Sequence, residues 1–128
     1  MQRSLLKSKI HRATVTQADL DYEGSISIDE DLMKAANLIT HEHVHVWNIT
    51  QGTRFETYVI PAPAGSGMIQ INGAAAHLAK KADKVIITSF TTLPARKIKR
   101  HKPKIVFVND ANKITRIANT SGMGPYRQ

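Results

Sequence analysis

The sequence predicts a mainly β protein, a small closed or nearly closed barrel with short helices between its strands. Three observations carry this reading. Short runs of β-branched and apolar residues recur along the chain, separated by turns rich in Gly, Pro and Asn. Helical patterning is confined to stretches too brief for the helices of a doubly wound sheet. Apolar content comes chiefly from Val, Ile, Leu and Ala, with aromatics at only 5%, a composition suited to a core in which backbones approach closely. A chain of 128 residues can bury about two-thirds of its unfolded surface in one core, so a single domain suffices.

Taken in order, Ser4 to Thr16 mixes polar residues with β-formers and shows no helix period, which predicts an extended strand. Lys9, His11 and Ala13 then share a face. The spacing favours a half-exposed edge with a solvated Lys and His over a shared polar site. Ile26 and Ile28 alternate with Ser25 and Ser27 as a second strand, and Asp29 is placed to cap a short helix running through Leu32 to Ala36. Asn37 is its expected stop. His41, His43 and His45 are spaced to share one strand face opposite Val44 and Val46. Without cysteine or a firm carboxylate pattern nearby, a solvated face is expected there and no metal site.

Trp47 to Thr50 and Arg54 to Ile60 flank Gln51-Gly52-Thr53, which predicts a hairpin with glycine in the turn. On its second strand Arg54, Glu56, Tyr58 and Ile60 share a face. Either Arg54 pairs with Glu56 beside a packed tyrosine, or the guanidinium and the phenol hold a carboxylate and deliver a proton. Pro61 to Gly67 is a loop by composition. Met68 to Asn72 is a strand leading into Gly73-Ala74-Ala75-Ala76-His77, where small side chains either expose backbone N–H groups to a ligand or pack a helix tightly. Lys84 to Phe90 reads as the centre of the core and Lys104 to Val108 as a further strand. Thr120 to Pro125 reads as a flexible tail.

The net charge of +8 is unevenly placed. Residues 1–94 carry nine Lys/Arg and nine Asp/Glu, whereas residues 95–128 carry nine Lys/Arg against Asp110 alone. The densest run, residues 96–104, could neutralise phosphates in a small basic nucleic-acid-binding barrel, but a solvated loop or an arm toward an acidic neighbour explains it as well. The bland reading is preferred. Cysteine is absent, which excludes disulfides and thiolate metal sites and fits a reducing compartment. No apolar run suits a membrane span or a signal peptide, so a cytoplasmic protein without membrane association is expected.

The chemically distinctive stretch is Asp21 to Ile26. A serine after a glycine can attack the carbonyl behind it, and glycine adds no Cβ to obstruct a strained backbone. The product is an ester; elimination and hydrolysis then turn the serine into a pyruvoyl group at a new N-terminus. Two pairs qualify, Gly24-Ser25 and Gly65-Ser66, and local sequence does not choose between them.

Lys9-Ile10-His11-Arg12, Ala18-Asp19-Leu20, Tyr22-Glu23-Gly24-Ser25, Trp47-Asn48-Ile49-Thr50, Gly52-Thr53-Arg54-Phe55, Thr57-Tyr58 and Ile71 to His77, in this order, resemble the aspartate 1-decarboxylases. These are pyruvoyl enzymes that make β-alanine for pantothenate synthesis. The resemblance implies a six-stranded double-psi β-barrel, a homotetramer with sites shared between subunits, and cleavage at Gly24-Ser25. It implies residues 1–94 as the catalytic core, leaving 95–128 as a basic C-terminal strand and tail. Ser25 becomes the pyruvoyl group that forms a Schiff base with L-aspartate, so no metal or pyridoxal phosphate is needed. Tyr58 is the implied proton donor, and Thr57 assists processing and touches substrate. Lys9, Arg54, Asn72, Gly73, Ala74 and Ala75 are the implied substrate contacts, with His11, Tyr22 and Trp47 in support. Some family members need a maturation partner for cleavage. Two departures stand out, Ile26 after the nucleophile and the basic end, and neither touches the implied chemistry.

Overall fold

The computed structural model describes residues 1–120. The expected tail therefore lies, from residue 121 on, outside the described residues. The strands are β1 (Gln2–Thr14), β2 (Gln17–Asp19), β3 (Ser25–Asp29), β4 (His43–Asn48), β5 (Arg54–Ala62), β6 (Ile69–Asn72), β7 (Lys84–Pro94), β8 (Lys104–Val108) and β9 (Ile114–Ala118). Between them lie helix α1 (Glu30–Ala35), a 3-10 turn (Gly73–His77) and helix α2 (Ala95–Ile98). The fold is mainly β with short helices, and its strands adjoin in the order β2-β6-β3-β5-β4-β7-β1-β8-β9. Among the described residues these are nine strands, of which the three-residue β2 on β6 and the β8–β9 hairpin beyond β1 lie outside a set of six.

Strand β1 is internal rather than an edge. It runs antiparallel to β7 and parallel to β8, and Ile10 and Ala13 are both fully buried. Strict alternation would put Ala13 with Lys9 and His11. The β1–β7 register instead shifts between Ile10 and Ala13, where Arg12 takes a φ of 64°, and this bulge turns Ala13 to the core. Strand β7, expected at the core's centre, lies between β4 and β1 with Val85, Ile87, Thr88 and Ser89 buried.

Strand β5 changes neighbours along its length. Its first part, Arg54 to Tyr58, pairs antiparallel with β4; its second, Val59 to Ala62, pairs parallel with β3. Strand β3 is held on its other side by β6, and all five of its residues are buried, so the Ser/Ile alternation does not mark a solvent face. The expected hairpin is present, with Gly52 at a φ of 78° in the turn and Trp47 opposite Arg54. The histidine row is shorter than expected. His41 adopts a left-handed φ of 73° and lies before β4, which begins at His43.

Asp29 ties the helix start to the following loop. Its carboxylate accepts from the N–H of Asp31 at 2.8 Å, as the expected cap. It also accepts from the N–H groups of Gly65 at 3.0 Å and Gly67 at 2.8 Å. Ser66 is engaged by the N–H of Met68, so the second Gly-Ser pair belongs to a structural turn. Asn37, just past the helix, takes a φ of 54° and ends it as expected.

Burial raises the pKa of Asp29, but hydrogen bonds from Gly67, Asp31 and Gly65 and the charge of Lys113 outweigh it, leaving the carboxyl below its ordinary 3.8. The carboxylate's stabilisation is thus present above the unfolded value and lost as pH falls through the folded one. Replacing Asp29 by Ala should cost about 1–3 kcal/mol in urea unfolding at neutral pH. The gap to the parent should narrow at pH below 3.8; a gap that is independent of pH would contradict this account.

Candidate active site

Ser25 opens β3 opposite Asn72, the last residue of β6. Its side chain is buried, at 1% exposure. Its Oγ accepts a hydrogen bond from Asn72 Nδ2 at 2.9 Å, and the same amide reaches Ser27 Oγ at 3.1 Å. Asn72 is itself fully buried, and its Oδ1 accepts from Gln70 Nε2 at 2.8 Å. An orienting amide with three partners, two of them hydroxyls, is thus built into an otherwise apolar region.

Steric demand here falls on Gly73, not Gly24. A Cβ on Gly24 would meet nothing within 4 Å, so crowding does not require glycine at that position in the uncut chain. At Gly73 φ is +72°, and a Cβ would lie 2.7 Å from Gly24 Cα, 2.9 Å from Gly24 N and 3.1 Å from the Tyr22 carbonyl oxygen. Only glycine lets the end of β6 press against the Tyr22–Gly24 segment. Gly24, Ser25, Asn72, Gly73 and the Tyr22 backbone are therefore assembled within one chain, with Ala74 and Ala75 continuing from Gly73 in the 3-10 turn.

A second group lies along β4 and β5. The Arg54 guanidinium carbon sits 5.0 Å from the centre of the Trp47 ring, so Arg54 stacks on its cross-strand neighbour and does not pair with Glu56. Glu56 instead accepts from His43 Nε2 at 2.7 Å. Arg54, Glu56 and Tyr58 share the exposed face, as alternation predicts, with Ile60 half-buried. A cavity of about 320 Å³ is lined by His45, Trp47, Arg54, Phe55, Glu56 and Phe90. Thr57 and Tyr58 are adjacent in a run of unbroken β4–β5 register, so their side chains point to opposite faces. Neither a bulge nor a strand end intervenes.

The third group is on β1. Lys9 lies opposite Thr88 of β7, which in turn lies opposite His45 of β4. His11 packs edge-on against Phe107, with ring centres 5.5 Å apart. Its Nδ1 is buried without a hydrogen-bond partner. Burial, then the charges of Lys9 and Arg12, hold the imidazole below its ordinary 6.5. Among the described residues, no hydrogen bond or ion pair joins Lys9 or Arg54 to the Ser25–Asn72 group. The basic run occupies α2, the loop that follows and the first residue of β8, where Lys104 pairs with Ser8 beside Lys9 and His101 Nε2 donates to the Leu6 carbonyl at 2.7 Å.

The aspartate decarboxylase family model matches residues 1–115. The chain belongs to the aspartate decarboxylase family. A relative from Myxococcus xanthus, named aspartate 1-decarboxylase, is 54% identical over 128 residues, covering 100% of this chain and 98% of its own. Relatives of the same name from Legionella pneumophila and Caldicellulosiruptor saccharolyticus are each 57% identical over 115 residues. Each match covers 90% of this chain, with 86% and 90% of the respective relative. Family membership favours an enzyme over a nucleic-acid-binding barrel.

Sequence reasoning passed over Ser27 and Gln70, which fix the Asn72 amide beside Ser25. Their positions two residues from Ser25 and Asn72 on the same strand faces were the available signal.

Because the folded pKa of His11 is depressed, its contribution to stability is present above the unfolded value and lost as pH falls through the folded one. In an NMR titration its ring resonance should move with a midpoint below 6.5. A midpoint at or above the ordinary value would overturn the assigned environment.

Proposed function

We propose that this chain is a self-processing, pyruvoyl-dependent aspartate 1-decarboxylase, a carboxy-lyase that converts L-aspartate to β-alanine and CO2 for pantothenate synthesis. The observation that carries the reading is the buried Ser25 hydroxyl, held at 2.9 Å by Asn72 directly after Gly24. In maturation Ser25 Oγ attacks the Gly24 carbonyl carbon, and the Gly24–Ser25 amide gives way to an ester. Removal of the Ser25 α-proton expels Gly24 as a carboxylate and leaves dehydroalanine. Tautomerisation to the imine and attack by water release ammonia and leave the ketone.

The residues around Ser25 fit that group. Asn72 already directs an N–H at the Ser25 oxygen and can donate equally to a carbonyl, and Gly73 leaves the approach free of a side chain. Once formed, the pyruvoyl carbonyl supplies an electrophile for the substrate amine and an electron sink for loss of the carboxylate. The group arises from the chain itself, without pyridoxal phosphate.

The remaining steps belong to side chains. Arg54, splayed over Trp47, binds a substrate carboxylate by paired charge-assisted hydrogen bonds, and Lys9 adds a second positive charge. Asn72 and the backbone of Gly73, Ala74 and Ala75 orient the substrate, with His11 and Tyr22 flanking. Tyr58 donates the proton that replaces CO2, and Thr57 assists cleavage and contacts substrate. Since Thr57 and Tyr58 face opposite ways on one regular strand, joint service in one site is met by pairing Thr57 of one copy with Tyr58 of another. This supports sites shared between subunits of a homotetramer. A cytoplasmic location belongs to the same proposal; among the described residues no helix is long and apolar enough to cross a membrane.

Intact mass under denaturing conditions tests the reading. The purified protein should yield two fragments split after Gly24, the larger beginning with a pyruvoyl group. Splitting only after addition of cell extract would assign the step to a maturation partner, and a chain that stays whole in both would sink the proposal. Ser25→Ala should remain whole and make no β-alanine. Arg54→Ala should still be cut but lose about 100-fold in kcat/KM, the equivalent of about 3 kcal/mol of charged hydrogen bonding; unchanged turnover would remove Arg54 from the site.

A further inference from the structure

The paired register of β4 and β5 gathers three side chains that the established family chemistry does not use. His43 and His45 project from alternate positions of β4 on its non-core face, opposite buried Val44 and Val46. Glu56 stands directly across from His45 on β5. The two imidazole centres are 5.0 Å apart. One carboxylate oxygen, Glu56 Oε1, lies 2.7 Å from His43 Nε2 and 3.7 Å from His45 Nε2. Each residue offers one ligand atom, and all three lie within 4.8 Å of one another.

Those separations match what a small cation requires. Tetrahedral Zn2+ with bonds of about 2.0–2.1 Å holds its ligand atoms about 3.3 Å apart. The two carboxylate–imidazole separations, 2.7 and 3.7 Å, bracket that figure. With all three ligand atoms within 4.8 Å of one another, an ion entering between them would draw in side chains that are 65%, 36% and 61% exposed for His43, His45 and Glu56 and so free to adjust. Backbone pairing fixes the spacing, and the His45 ring is further held edge-on by Phe90 at 5.5 Å. An exposed His–Glu pair by itself contributes little, and it leaves the second imidazole a longer, weaker partner. A divalent ion would use all three donors at once.

We propose that His43, His45 and Glu56 form a surface site for a divalent first-row transition metal, with two imidazole nitrogens and one carboxylate oxygen as ligands. The N2O donor set selects ions such as Zn2+ or Co2+ over Mg2+ and Ca2+, which prefer all-oxygen shells. Three protein ligands leave a fourth position open to water, so the ion is exchangeable rather than locked in the fold. None of its three ligands is a residue given a role in cleavage or substrate binding above, and its test does not depend on decarboxylase activity.

The test is Zn2+ titration by calorimetry on the full-length chain, purified without a histidine tag and freed of metal by chelator. It is paired with the visible spectrum of the Co2+ form. One Zn2+ per chain and tetrahedral Co2+ bands are expected. His43→Ala and Glu56→Gln should each weaken binding about tenfold or more with unchanged far-UV circular dichroism, while His77→Ala should bind as the parent does. Absence of stoichiometric binding, parental affinity in both ligand variants, or loss with His77→Ala would overturn the assignment.

Discussion

Strand β5 must satisfy two neighbours, β4 along Arg54 to Tyr58 and β3 along Val59 to Ala62, and the rest of the structure depends on that change of partner. A strand paired with β4 alone would leave β3 without one of its two ladders. Because Ile26 pairs with Val59, Ser25 and Tyr58 immediately precede the first paired residues of the two parallel strands. The switch therefore brings the end of the arginine-bearing hairpin to the start of the strand that opens with Ser25.

Polarity in that region is tightly managed. Ser25, Ser27 and Asn72 are all buried, and such groups are tolerated only when their hydrogen bonds close among themselves. Asn72 does this by donating to both hydroxyls and accepting from Gln70. The same economy appears at Asp83, buried and held by Asn48, Gln51 and the N–H of Lys80. Burial raises its pKa, but those hydrogen bonds and the Lys80 charge bring it below the ordinary value.

Features written in local periodicity were legible in the sequence. The core side of β4, the glycine turn before β5, the Asp29 cap and the Asn37 stop all follow from spacing and backbone preference. What escaped depends on pairings between distant segments. Ala13 leaves its expected face because one residue, Arg12, takes a left-handed conformation, and His41 leaves the strand for a similar reason. Glu56 meets the histidines, and Arg54 meets Trp47, only because the hairpin register sets them opposite each other. Family resemblance, rather than periodicity or spacing, singled out the site residues. The fit of Gly73 against Gly24 could not be read from either residue alone.

The placement of β1 gives the proposed cut a further meaning. This strand is clamped between β7 and β8 and contributes Ile10 and Ala13 to the core. A chain severed after Gly24 would keep its first segment as an inserted peptide, retained by ladder hydrogen bonds and apolar burial without a covalent tether. Such a cut would turn a unimolecular fold into an association of two polypeptides. Regaining the structure after complete unfolding becomes a bimolecular encounter whose success scales with concentration. On that proposal the precursor would be the form in which the fold is assembled, and the cut protein would inherit an arrangement that it rebuilds poorly when dilute.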